Sequence, residues 1–321
     1  MLRNPWFRIA TTLGAILIVL LLAASIRFAV SRGVFASVKP VTSGQCKVVE
    51  GVSQVAALAP APGGQTVYIA TRQGEVFQYF NGVRVKLSGV PKDFHPLAMS
   101  VTQAAHEDAK LAVVFARSDG SYTLAAFDVQ PGKLAETGLL TTDRFADPAG
   151  LAGVPGGAFY LVNRHGSHSG LGRWLDDVFL LPRAKVLYYD GMKFVPVAER
   201  LNSPGGIALS PDGSHLYVGQ QWPRTIASFT RNDFTGALDD AALLDLPAGP
   251  RQITLAPDGS LIVAAAPKPG AGAVYRVRVR NGVPQSAELL YASKNEEVTA
   301  AAQTDEHLLI GTGDKLLDCK P

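Results

Sequence analysis

Short apolar runs separated by turn-forming residues recur along most of this chain. VYIA at Val67, LAVVF at Leu111, FYLV at Phe159, LYVG at Leu216, LIVAA at Leu261 and LLIGT at Leu308 stand about 45 residues apart, with one longer interval of about 57. A further run follows most of them: EVFQYF, YTLAAFDV, VLYYD, TIASFT and AVYRVRV. PGG at Pro62 and Pro155, SPDG at Ser210 and APDG at Ala256 supply the turns. β-Branched and aromatic residues bounded by Gly, Pro and Asp predict short strands joined by tight turns. A period near 45 residues, with strand enough for a small sheet in each repeat, predicts the blades of an all-β, six-bladed propeller. Runs such as LIVAA lack strict alternation, as expected of blades covered on both faces. A parallel β-helix is excluded by the long period, and a two-domain sandwich would not keep one spacing throughout.

The N-terminal pattern is different. Ile9 to Ile26 carries no charge and lies between Arg3 and Arg8 on one side and Arg27 and Arg32 on the other. That length is at the lower edge for a transmembrane helix. An uncleaved anchor is the favoured reading, and a signal peptide cut near Ala23-Ala24-Ser25 is the alternative. The expected division is an anchor over 1–30, a linker over 31–45 and a propeller over 46–321. Leu171 to Leu181, inside the longest interval, is the only other segment with helical character.

Composition narrows the function classes. Gly 32 and Pro 21 make up about a sixth of the 321 residues, which suits a turn-rich chain. The net charge of +3 is small, and no Lys/Arg cluster stands beside aromatics, so nucleic acid is not an expected partner. The membrane is, through the N-terminal helix. Cys46 and Cys319 bracket the repeats. They are either two buried thiols or a disulfide joining the ends of the ring, worth about 4–5 kcal/mol in the chain-entropy model. A bridge would place the propeller in the periplasm or another extracytoplasmic space.

Candidate chemistry concentrates in the polar loop after FYLV, with Asn163, His165 and His168. His165-Gly-Ser-His168 has a metal-ligand spacing, but paired loop histidines are more often solvated. No G-x-S-x-G occurs, so a serine nucleophile elbow is absent. Asp176-Asp177 and Glu296-Glu297 are expected to face water. Trp174 and Trp222 are expected to pack between blades, with an exposed rim patch for a protein partner as the other reading.

In order and spacing, CKVVEG, FYLVNRHG, LPRAKVLYYDG, PGGIALSPDGSHLYVG and LLIGTGDKLLDC resemble the paraoxonase/arylesterase family. That family is related to the senescence-marker-protein/gluconolactonase and strictosidine-synthase-like propellers. The resemblance runs from Cys46 to Cys319. It implies a six-bladed propeller with calcium in a central tunnel, hydrolysing aryl esters or lactones.

Most family ligand positions are exchanged here. No carboxylate stands between Gln54 and Ala57, where the first blade's acidic pair is expected. The family Asn-Asp corresponds to Asn163 and Arg164, so Asn163 is the one matched metal ligand. The Asn of the fourth blade corresponds to Gly205, the Asp-Asn of the fifth to Arg251 and Gln252, and the active-site His to Leu97. His95, two residues earlier, and His165 are the remaining candidate bases. Ca²⁺ takes six to eight oxygen ligands, several of them anionic. Arg164 and Arg251 would oppose it by several kcal/mol at about 4 Å, even at an effective dielectric near 20. The resulting expectation is a membrane-anchored propeller with a degraded hydrolase site and no cofactor, serving as a ligand-binding or scaffold module. Arg164, Arg251, Asn163 and Gln252 would form an anion pocket. The alternative is an active arylesterase or lactonase with a rearranged centre, acting on an ester or lactone in the tunnel.

Overall fold

The computed structural model describes residues 5–42, 44–103 and 108–320. Arg3, at the outer edge of the expected anchor, lies outside them. A helix, α1 (Pro5–Ser31), precedes six sheets arranged as the blades of a propeller. Blade 3 shows the plan. Pro148–Val154 lies innermost, followed outward by Ala158–Asn163, Ala184–Tyr189 and Phe194–Leu201, all antiparallel. The other innermost strands are Val55–Pro60, His95–Thr102, Pro204–Leu209, Gly249–Leu255 and Val298–Gln303.

The apolar runs that reveal the repeat are thus the second and third strands of each blade. The innermost strands escape a reading by hydrophobic bulk because they are built from Ala, Gly and Pro: VAALAP, PAGLAGV, PGGIAL, VTAAAQ. Six strands converging on one axis leave little room for side chains. At Gly205 an added Cβ would come within 2.6 Å of the Pro250 carbonyl oxygen. Pro begins or nearly begins four of these strands, at 96, 148, 204 and 250, where an edge strand tolerates the missing N–H.

Ring closure is covalent. Gln45–Val49 adds the outermost strand to blade 6, and Cys46 faces Cys319 across that ladder in a disulfide spanning 273 positions. Closing so long a loop removes about 5 kcal/mol of unfolded-state entropy in the chain-entropy model. Tyr79 of blade 1 ties the same seam, donating to Asp318 at 2.6 Å, while His307 Nδ1 lies 2.6 Å from the other oxygen of that carboxylate. The segment 31–45 is not a free tether. Val41–Thr42 pairs with Tyr291 and Ala292 as a fifth strand of blade 5, and Val38 is buried among blade-4 and blade-5 residues.

Because the strands alternate in direction, each blade has two unlike ends. The turns leading from the innermost strand to the second, and from the third to the outermost, lie at the lower end. The loops from second to third strand, and the links between blades, lie at the upper end.

Candidate functional site

A cavity of about 1230 Å³ follows the axis, and its upper mouth gathers most of the titratable side chains. One feature of the innermost strands sets that mouth. In all six, the register slips at the upper end: between Val55 and Ala57, Pro96 and Ala98, Pro148 and Gly150, Pro204 and Gly206, Pro250 and Gln252, and Val298 and Ala300. A bulge leaves one residue without a cross-strand partner and re-aims it. The residues so released are Ala56, Leu97, Ala149, Gly205, Arg251 and Thr299, and every one lines the cavity. This ring holds one guanidinium, one hydroxyl and no carboxylate. No sequence pattern announces the bulges, since a slip of register depends on the neighbouring strand.

Above the ring stand Arg72, Arg164, His165, Asp177 and Glu297. Arg251 donates to Glu297 at 2.7 Å, and Glu297 also accepts the Gly270 N–H at 3.0 Å. The Arg251 hydrogen bond holds the Glu297 carboxyl below its ordinary range, helped by the Gly270 amide and the charge of Arg72 against modest burial. Arg72 and Arg164 are exposed at the mouth, and neither side chain has a hydrogen-bonded or ion-paired partner among the described residues. Gln252 Nε2 reaches from blade 5 to the Leu58 carbonyl of blade 1 at 2.9 Å, and its Oε1 is buried without a donor.

His165 is the centre of a separate charge network. Its Nδ1 lies 2.6 Å from Asp147 and its Nε2 3.2 Å from Asp177. Burial disfavours the imidazolium, but hydrogen bonds to the two carboxylates, and then their charges, outweigh it and push the pKa up to about 9. Burial likewise raises Asp147 and Asp177, yet the His165 hydrogen bond and neighbouring cations bring both below the usual carboxylate range. At neutral pH the ring is therefore charged, with both nitrogens donating, and it has no lone pair with which to accept a proton.

Asp177 belongs to a second helix, α2 (Gly170–Phe179), inserted between the second and third strands of blade 3 and N-capped by Ser169. The expectation that Asp176-Asp177 and Glu296-Glu297 face water fails for Asp176, while the other three are partly exposed and held by polar partners. Asp176 is only 4% exposed and accepts the Gly166 N–H, and Asp177 takes a further hydrogen bond from Trp222 at 3.2 Å. Glu296 pairs with Lys315 at 2.6 Å. These carboxylates are drawn inward because the upper loops carry cations and amides that adjacent acids in a sequence do not reveal. Trp222 is partly buried, with the Arg32 guanidinium 4.3 Å over its ring and its indole N–H donating to Asp177 of the blade-3 insertion. Trp174 is exposed on α2.

The structure thus brings Arg164, His165, Arg251 and Gln252 to one cavity. Asn163 stands apart from its lining: its Nδ2 donates to the Arg144 carbonyl at 2.8 Å and its Oδ1 accepts from the Asp147 N–H. His95 is exposed beside Asp93 at 3.3 Å and also lies off the cavity. His168 is exposed on the loop leading to α2. Among the described residues, no three His, Cys, Asp or Glu side chains are grouped as a metal cage. Sequence reasoning missed Arg72, Asp147, Asp177 and Glu297. Two of these stand in acidic pairs that a sequence alone presents as solvated, and Asp147 directly precedes the innermost strand of blade 3.

The sequence profile of the arylesterase family, described as Arylesterase, matches residues 78–319. Among solved structures, a gluconolactonase from Xanthomonas campestris superposes with a TM-score of 0.56 at 16% identity, covering 89% of this chain and 99% of that one. Regucalcin from Agrobacterium tumefaciens, described as a calcium-binding protein, gives 0.58 at 16% identity, covering 88% and 97%. The soluble aldose sugar dehydrogenase of Escherichia coli gives 0.54 at 15% identity, covering 86% and 99%. No curated protein sequence matches the chain. Identities this low speak for the fold alone, and the three neighbours differ in chemistry.

Proposed function

The chain belongs to the arylesterase family, and from that premise we propose that its axial cavity binds a small organic anion instead of hydrolysing an ester through calcium. The observation that carries this reading is the ring of bulge residues. Five of its six positions offer no charge and the sixth offers Arg251, while Arg72 and Arg164 stand above it unpaired among the described residues. A dication needs several anionic oxygens at that depth. The two acids that approach the mouth, Asp177 and Glu297, are already engaged by His165 and Trp222 and by Arg251 and Gly270. Their donor set does not fit Ca²⁺.

A carboxylate or phosphate fits better. Planar guanidinium groups match such oxyanions through paired N–H donors. The buried Gln252 Oε1 offers an acceptor to a hydroxyl on the same ligand, so a hydroxy acid would use both features. Hydrolysis has little support from the histidines, because His165 is a clamped imidazolium and His95 lies off the cavity. The membrane-crossing length of Ile9–Ser31 and the disulfide support an extracytoplasmic, membrane-held binding module.

Thermal unfolding in detergent, with and without citrate or inorganic phosphate, tests the reading. Saturation at about 100 times Kd is expected to stabilise the protein by about 2.7 kcal/mol, which is a shift of several degrees. Arg164→Ala or Arg72→Ala is expected to weaken binding about tenfold, the loss of a charged hydrogen bond of about 1.5 kcal/mol. Turnover of phenyl acetate or a lactone that needs calcium and stops with chelator would sink the proposal.

A further inference from the structure

The Glu297 carboxylate sits where three sources of positive charge meet. It stands on the link between blades 5 and 6, directly before the innermost strand Val298–Gln303. Its Oε2 accepts from Arg251 Nη1 at 2.7 Å. Its Oε1 accepts from the N–H of Gly270, in the upper loop of blade 5, at 3.0 Å. The charge of Arg72, from blade 1, acts on it as well. Each oxygen thus has its own donor, one charged and one from the backbone, which is how a free carboxylate is held by protein N–H groups.

The two sides of this contact are held very differently. Arg251 is fixed at the axis by the register slip between Pro250 and Gln252. Gly205 closes on its backbone, where an added Cβ would come within 2.9 Å of the Arg251 Cα. Glu297 has no such frame. Its side chain is 40% exposed, and no residue between Ser293 and Val298 belongs to a strand. Rotation about the side-chain bonds of Glu297 suffices to move its carboxylate into water. A half-exposed ion pair of this kind is weak, since water competes for both charges. Asp177, by contrast, is tied by His165, Trp222 and Arg32. The donors at the mouth are therefore fixed, and Glu297 is the acceptor free to leave.

We propose that Glu297 is a resident occupant of the anion site: its carboxylate marks the seat of the ligand's own carboxylate, between Arg251 and the Gly270 N–H, and binding exchanges one for the other. This rests on the reading of the cavity as an anion site and narrows its ligand to a carboxylate. A planar group with two oxygens reproduces both bonds. Arg72, whose side chain has no bonded partner among the described residues, then remains for a second anionic or polar group of the same ligand. Three arginines around one opening repel one another, and Glu297 offsets part of that repulsion until a ligand arrives.

The test is calorimetric titration of the full chain in detergent. Citrate is expected to bind Glu297→Ala about fivefold more tightly than the unaltered protein, the factor that an exposed ion pair is worth. Glu297→Gln, which keeps the size of the side chain, is expected to gain in the same direction. Acetate, a carboxylate with little else, is expected to bind Glu297→Ala about fivefold more tightly than the unaltered protein. The Glu297→Ala/Arg251→Ala double variant is expected to lose it. Glu296→Ala removes the same charge from the neighbouring pair with Lys315, and is expected to change citrate affinity by less than about twofold. Equal citrate affinity in the unaltered protein and in both Glu297 variants would overturn the exchange and leave the anion site standing. So would an equal gain in Glu296→Ala, because net charge alone would then account for it. Binding of neither citrate nor acetate by any of these proteins would remove the anion site itself, and this inference with it.

Discussion

At the lower end of the propeller, Asp212 accepts from the Ser210 and Ser214 hydroxyls beside it, and Asp258 accepts from Ser260 two residues on. At the upper end, His165 joins Asp147 to Asp177, Asp177 pairs with Arg32 145 positions away, and Gln252 reaches Leu58 at a separation of 194. These two lower turns carry their own bonding partners, although Tyr79–Asp318 and Tyr160–Gly236 also link blades at that end. The charge network of the upper end is assembled from pieces that meet only once the ring has closed. Such self-contained turns can vary at little cost, whereas the upper network is coupled and concentrates charge around one opening.

The sharpest way to break this contrast is to remove His165. His165→Ala leaves two partly buried carboxylates facing each other, and about 3 kcal/mol of stability should be lost, as for a buried pair deprived of one partner. Circular dichroism during thermal unfolding in detergent would show it. A cost below about 1 kcal/mol would mean that the network is ornamental and that the two ends are alike.

The pH response separates the ends next. The imidazole of His165 has its pKa raised from 6.5 to about 9 on folding, so its contribution is complete below pH 6.5 and is lost as pH rises through 9. The loss should be on the order of 2–3 kcal/mol, and His165→Gln should flatten the alkaline limb. The lower end answers to acid instead. Hydrogen bonds from Ser210 and Ser214 bring Asp212 down to about 2, so its contribution is present above its unfolded value of 3.8 and fades as pH falls through 2.

The smallest expected effect is that of Asp212→Ala itself. This carboxylate is exposed and serves a single turn, so about 1 kcal/mol or less should be lost. A loss equal to that of His165→Ala would erase the distinction between local and assembled ends.

This difference in reach also explains what a reading of the chain recovers. The repeat, the six blades and the apolar helix were legible because each follows from residues within one strand or turn. The axial strands were not, since Ala, Gly and Pro carry little hydrophobic signal, and the closeness that selects them arises only when six blades converge. The site divided in the same way. Arg164 and Arg251 could be picked out directly, and the structure places both arginines on the cavity. Asp177 and Glu297 passed for solvated acids because their partners, His165, Trp222 and Arg251, come from loops of other elements or other blades.

The sequence by itself determined the period, the turns that punctuate it, the pairing of terminal cysteines as an option, and the apolar length of α1. Each depends on the intrinsic preferences of a few adjacent residues. Tertiary structure alone decided the six register slips that expose the axial ring, the clamp on His165, and the fastening of the end of α1 to the rim through Arg32 and Arg224. Those arise from groups tens to hundreds of positions apart, whose charges and hydrogen bonds acquire their strength only when burial brings them together.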